Sequence, residues 1–252
     1  MRIIKGMSKR INQYIASILV NAVYAMKSYP LMLINTFLAP LSLLLVLTFV
    51  SHGRLIGVAI EGGFITSMVS SGTSLQADLS HLKNDFRLQD VVVSSPTSAA
   101  VYITGMALSE LIYYLPSLVA FAILAAVFIK VTLASAMAIM LAMLLMFLFS
   151  VVLGFMLSTF SSEVMENWSF SVILSTLLST IPPIYYPITH IPLPYRYMTY
   201  LSPTTYAAEL AQNAAGYLQL SSANVAIDWI VLIAMTAALL AIALKKTRWR
   251  EK

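Results

Sequence analysis

The chain has 252 residues, of which 60% are hydrophobic and only 10% charged, and its mean hydropathy is +0.86. A soluble domain is nearer about half apolar and about a quarter charged, so this composition excludes a water-soluble fold and indicates a membrane class. There is no cysteine, which removes disulfides, thiolate metal sites and a cysteine nucleophile. The formal charge of +5 is not a nucleic-acid footprint, because twelve of the fifteen bases gather in residues 1–29, in the segment 79–96 and after residue 244. That distribution orients a membrane protein.

Residues 1–29 set Ile4, Met7, Ile11, Ile15, Ile18, Ala22 and Met26 at three- and four-residue steps, one face of a helix, with Lys5, Lys9 and Asn12 on others. The pattern predicts a basic amphipathic helix lying in the membrane interface. A signal peptide cleaved after Val23-Tyr24-Ala25 is the weaker reading, because Asn21 interrupts a short apolar core. Residues 30–50 are uncharged and long enough to cross a bilayer, with Pro40 expected to kink the span. Residues 55–77 return as a different kind of helix, carrying Gly57, Gly62, Gly63, Thr66, Ser67, Ser70, Ser71 and Ser74. Such residues either let helices approach closely or line a polar route, and the sequence leaves both readings open.

The segment 79–96, LSHLKNDFRLQDVVVSSP, is the one long polar interruption in the first two-thirds of the chain. Lys83, Asp85, Arg87 and Asp90 alternate in sign along about two helical turns, flanked by Leu82 and Phe86. A short charged helix between apolar spans sits in water or against another protein, and it reads as a docking helix. Residues 98–129 form a span broken by Pro116 and holding Glu110, and residues 133–160 form the most apolar span. Met137, Met140, Met143 and Met146 recur there at helical spacing and read as packing rather than ligation. Residues 168–184 are rich in Ser and Thr and end at Pro182-Pro183.

Residues 185–224 hold several prolines and seven tyrosines, which suits a segment folded at or partly into the outer membrane surface. Within it, 204–215 suits a short helix begun by Ser202 and Pro203. Residues 226–244 are the last span, stopped by a basic tail. Six spans put both termini on one side; with that side cytoplasmic, only Arg54, Lys130 and Arg196 remain outside.

Little in the chain suggests chemistry. No Gly-x-x-x-x-Gly-Lys-Ser/Thr loop is present to cradle ATP. His52, His81 and His190 fall in three separate loops without metal-ligand spacing. Glu61, Glu110 and Asp228 are ionisable groups in or near spans, which makes them candidates by default. Glu61 and Asp228 lie near outer span ends and are expected to reach interfacial water. Glu110 lies deeper, and a structural hydrogen bond to a neighbouring helix is its plainer, favoured reading.

The order of elements resembles the permease subunit of ABC-2 type transporters. Two stretches carry the likeness: residues 82–111, a charged helix followed by a small-residue and proline turn and a third span, and residues 181–216, a Pro-bearing span end followed by a Leu-Pro step and Ser202-Pro203-Thr204-Thr205-Tyr206. The family often has an acidic residue followed by Gly early in the first cytoplasmic helix, where this chain has Asn84-Asp85-Phe86-Arg87; Glu163 and Glu166 match no motif. The resemblance implies an all-α integral membrane protein working as a pair, with a second copy of itself or a related permease, in the lipid of the cell membrane. It implies docking to a separate ABC ATPase through the N-terminal helix and Leu82, Lys83, Asp85, Phe86, Arg87 and Asp90. ATP and magnesium are then expected on that partner, with no cofactor, no catalytic residue and no nucleic acid on this chain. The second and fifth spans would border the substrate route, through Thr66, Ser67, Ser70 and Ser71 and through Ser171, Ser175, Thr176 and Ser179. Pro182, Pro183, Tyr185, Pro203 and Tyr206 would form an outer gate. The alternative is a stand-alone ion- or proton-coupled transporter or channel using Glu110. A lipid-acting membrane enzyme would have only His190, Glu209 and Asp228 to work with.

Overall fold

A computed structural model describes residues 2–84, 98–130, 132–158 and 163–246. Among them the chain is helical throughout, with no strand. In chain order the helices are α1 (Arg2–Ile18), a π-helical turn (Leu19–Tyr24), α2 (Ala25–Ser28), α3 (Pro30–Val50), α4 (Ile56–Asn84), α5 (Ala99–Tyr113), α6 (Leu115–Phe128), α7 (Leu133–Leu157), α8 (Val164–Thr180), a 3-10 turn (Ile188–His190), α9 (Leu193–Thr199), α10 (Pro203–Ala214) and α11 (Ser222–Lys246). α3, α7 and α11 are long and apolar enough to cross a membrane, and α5 with α6 makes a fourth candidate bent by 52°. The bend falls at Tyr114, just before Pro116, which lacks the N–H a continuous helix needs. Large apolar side chains such as Leu31, Phe49, Val127, Leu133 and Ile230 stand exposed around the bundle, an arrangement that lipid satisfies and water does not.

Local chemistry explains several boundaries. Pro30 opens α3, where a missing N–H costs nothing. His52 and Gly53, both at positive φ, turn the chain into α4. Ser98 and Thr132 cap α5 and α7 by accepting from the backbone N–H of Val101 and Ser135. Pro40 does not end α3, which continues through it to Val50.

α4 is the axis of the bundle. It packs against α3, α5, α6, α7, α8 and α10, most extensively against α7 and α8. Two glycines make the α7 contact possible: a Cβ on Gly72 would stand 2.3 Å from the Ser150 Cβ, and one on Gly154 would stand 2.6 Å from the Gly72 carbonyl oxygen. The expected methionine stripe divides. Steps of three residues fall about 60° short of a full turn each time, so the row winds around the helix. Met143 and Met146 are buried in the core, while Met137 and Met140 face outward.

Three expectations need correction. α4 continues without a break through Leu79–Asn84, so the first six residues of the expected docking helix belong to the second long helix, and the rest of that segment lies outside the described residues. Nothing between Ser74 and Asn84 is Gly or Pro, and nothing there stops a helix. His81 therefore lies on α4 and not in a loop. Glu61 and Asp228 do not reach interfacial water: they are 2% and 4% exposed, because the outer segment folds over them.

Candidate functional site

The hydroxyl groups of α4 hold the bundle together. Thr66 Oγ1 meets the Tyr185 hydroxyl at 2.8 Å, Ser67 Oγ meets Ser117 Oγ at 3.0 Å, and Ser70 Oγ meets Ser175 Oγ at 2.9 Å. Ser171 Oγ donates to the Thr73 carbonyl at 2.8 Å, and Gln76 Nε2 donates to Asn167 Oδ1 at 2.9 Å. Asn167 Nδ2 in turn donates to Ser80 Oγ at 3.0 Å. Ser71 is fully buried and donates to its own helix at Met68. Of the candidate route residues on α8, Ser175 is half-buried and Thr176 exposed, whereas Ser171 and Ser179 are buried. The described chain therefore brings Thr66, Ser67, Ser70, Ser171 and Ser175 into interhelical contacts and leaves Thr176 facing outward. Gln76, Ser80 and Asn167, the polar clamp between α4 and α8, were not singled out from the sequence; each is a lone amide or hydroxyl without a motif.

Glu110 is a structural ligand of α4. It is 3% exposed, and Ser74 Oγ donates to its Oε2 at 2.6 Å. Asp78, one turn further along α4, meets the same carboxyl. This is the plainer of the two roles open to Glu110, a cross-link from α5 to the axis.

α1 lies on α5. Tyr14 Oη meets Thr104 Oγ1 at 3.0 Å, and Ser17 Oγ meets Ser109 Oγ at 3.3 Å, over Gly105. Ile11 and Ile15, part of the predicted apolar face, are left exposed on the other side. Leu82 and Lys83 belong to the last turn of α4, while Asp85, Phe86, Arg87 and Asp90 lie outside the described residues.

Much of the segment 182–217 packs into the bundle. Pro182 and Pro183 end α8 and are buried, as are Ile184 and Tyr185. Pro203 opens α10, which is buried along most of its length against α4, α7 and α11. The tyrosines tie the outer helices together: Tyr206 Oη donates to the Tyr200 carbonyl at 2.8 Å, and Tyr200 Oη donates to Glu209 Oε1 at 3.2 Å. Arg196 Nη2 donates to the carbonyls of Thr189 and Ile191 at 3.4 and 3.1 Å. Burial first, and then the nearby Asp228 carboxylate, push the Glu209 carboxyl from 4.5 up to about 7, against the opposing influence of Tyr200 and Arg196. Burial and the Glu61 carboxylate likewise raise the Tyr217 hydroxyl. His190 stands exposed with its ring nitrogen 3.2 Å from the Pro187 carbonyl, apart from the buried Glu209 and Asp228. Among the described residues no group of three His, Asp or Glu side chains is placed to hold a metal ion.

An all-helical bundle with an apolar belt, a polar central helix running into a charged segment, and an inward-folded outer segment rich in Pro and Tyr fits one comparison. The family model for ABC-2 type transporters matches residues 13–215. The chain belongs to the ABC-2 type transporter family. The match runs from the last turns of α1 to the end of α10, including the charged segment and the helices α9 and α10. As a member of that family the chain is a membrane permease component of an ABC-type transporter. No curated protein matches the sequence.

Proposed function

We propose that this chain is the permease subunit of an ATP-driven exporter in the cell membrane, with six spans and both termini in the cytoplasm. The six are α3, α4, the bent pair α5–α6, α7, α8 and α11. Two permease chains, identical or related, pair around the route, and each docks a separate ATPase that holds ATP and magnesium. The charge distribution supports this orientation, since it leaves only Arg54, Lys130 and Arg196 outside.

One observation carries the reading: α4 is a single helix of 29 residues that joins the two ends of the proposed machine. At about 1.5 Å per residue it is about 43 Å long, enough to reach from one membrane face to the other. Its outer end supports Tyr217 and Tyr185, and its inner end enters the segment with Lys83 and Arg87. An ATPase closing on that segment pushes on a rod whose far end touches the outer gate of Pro182, Pro183, Tyr185, Pro203 and Tyr206. Because the hydroxyls of α4 are engaged inside the chain, the route runs along the outward face of α8, with Thr176 and Ser175 facing the paired chain. α1 lies in the inner interface with Ile11 and Ile15 toward lipid.

Reversing the docking charges (Lys83→Glu with Arg87→Glu) tests the coupling. The variant is expected to reach the membrane at wild-type level and to lose ATP-dependent transport in inverted vesicles. Transport at the wild-type rate would refute the docking assignment.

A further inference from the structure

Among the described residues Glu61 is the one carboxyl with both oxygens buried and without a hydrogen-bond partner, at 2% exposure. Buried carboxylates are normally paired, and an unpaired one at membrane depth marks a site of function. Its surroundings are specific. A Cβ on Gly57, one turn before it, would stand 1.8 Å from the Tyr217 hydroxyl oxygen, and a Cβ on Gly62, next to it, would stand 2.7 Å from the Tyr185 ring. The two glycines thus seat two tyrosines on α4 on either side of Glu61. Gln212 joins those two tyrosine-bearing segments. Its backbone carbonyl accepts from the N–H of Tyr217 at 2.8 Å, and its side-chain amide donates to the Pro183 carbonyl at 3.3 Å. The Gln212 side-chain oxygen is itself buried and unpartnered.

A buried carboxyl without a partner, a second acceptor with nothing to accept from, and two aromatic rings are groups that can recognise an organic cation, the carboxyl by ionising beside it and the rings by cation–π contact. We propose that Glu61, with Tyr185, Tyr217 and Gln212, is the binding site for the positive charge of a lipophilic alkyl- or arylammonium-type cargo at the outer end of the route. The site rests on the permease reading and gives it a substrate class. The outer segment covers the site in this structure, so cargo occupies it when Tyr217 and Tyr185 lift from Gly57 and Gly62.

The test uses a pair of nearly isosteric ions of opposite charge, tetraphenylphosphonium and tetraphenylborate, binding to the purified full-length chain in detergent. Wild type is expected to bind tetraphenylphosphonium saturably. Glu61→Gln is expected to weaken that binding by about tenfold or more, the scale of a lost buried charge partner, while tetraphenylborate binding does not fall. Glu61→Asp, which keeps the charge, is expected to recover most of the affinity. Thermal unfolding of each variant separates loss of the site from loss of the fold. Equal tetraphenylphosphonium affinity in wild type and Glu61→Gln, or no saturable binding to wild type, overturns the assignment. ATP-dependent transport by wild type together with its ATPase is measured alongside: if it persists while the cation result fails, only the substrate class falls, and if it is absent, the permease reading falls with it.

Discussion

At Gly72 the central helix and α7 meet backbone against side chain with no room for one more carbon. The nearest atoms belong to the Ser150 Cβ and to the backbone at Ser150 and Val151, none of which can swing away. Gly72→Val is therefore expected to destabilise the chain by roughly 1–3 kcal/mol, the usual cost of overpacking a core. The check is thermal unfolding in detergent beside Thr176→Val, an exposed position expected to be neutral; an unchanged midpoint for Gly72→Val would show that α4 and α7 do not pack this closely. Single residues were unevenly legible from sequence. The small and hydroxyl residues of α4 were visible as a class, and both of their possible roles were on view. Which role each plays depends on the neighbour it meets: Ser70 on Ser175, Ser67 on Ser117, Thr66 on Tyr185. Glu61 and Asp228 were misplaced toward water because their burial comes from tertiary folding, Glu61 under Tyr185 and Tyr217 and Asp228 beside Glu209, which no local pattern reports.

Among the elements, α10 departs furthest from what its composition suggests. Ser202 and Pro203 announce its start, and that much is local chemistry. A helix holding Glu209, Gln212 and Asn213 nonetheless lies buried in the bundle, and this was not legible, because the groups its polar side chains meet, such as Tyr200 and Pro183, lie outside the helix. The burial has a titration consequence. Glu209 sits on a 12-residue helix too short to cross a membrane, and its carboxyl is raised from 4.5 to about 7 in the folded chain. A raised carboxyl means the folded state holds the proton more tightly than the unfolded state. Its contribution is thus most favourable below about pH 4.5 and is lost as pH rises through about 7. Glu209→Gln removes that dependence, so the difference in unfolding temperature between variant and wild type is expected to grow in the variant's favour across this window. A difference that stays constant with pH would mean Glu209 is not held among Asp228 and Tyr200 as described. α4 teaches the complementary lesson. The change from apolar to charged residues at Leu79 looked like a boundary, but polarity does not stop a helix; only Gly, Pro or a competing cap does, and none stands there before Asn84.

Taken whole, the molecule is a bundle strung on one helix. α4 touches six of its neighbours, receives the outer tyrosines at one end and delivers the charged segment at the other. Fold class and family were legible in the sequence because lipid demands long apolar helices and because the charged and Pro-Tyr segments fall at distinctive intervals between them. The central claim is that this permease works only with a separate ATPase docked at that segment. Gentle affinity purification of the chain from its native membrane, with quantitation of what accompanies it, tests this most directly. A soluble ATP-binding subunit at near-equal stoichiometry, lost from the Lys83→Glu, Arg87→Glu variant, is the predicted result. A stable chain that purifies without any such subunit would contradict the account.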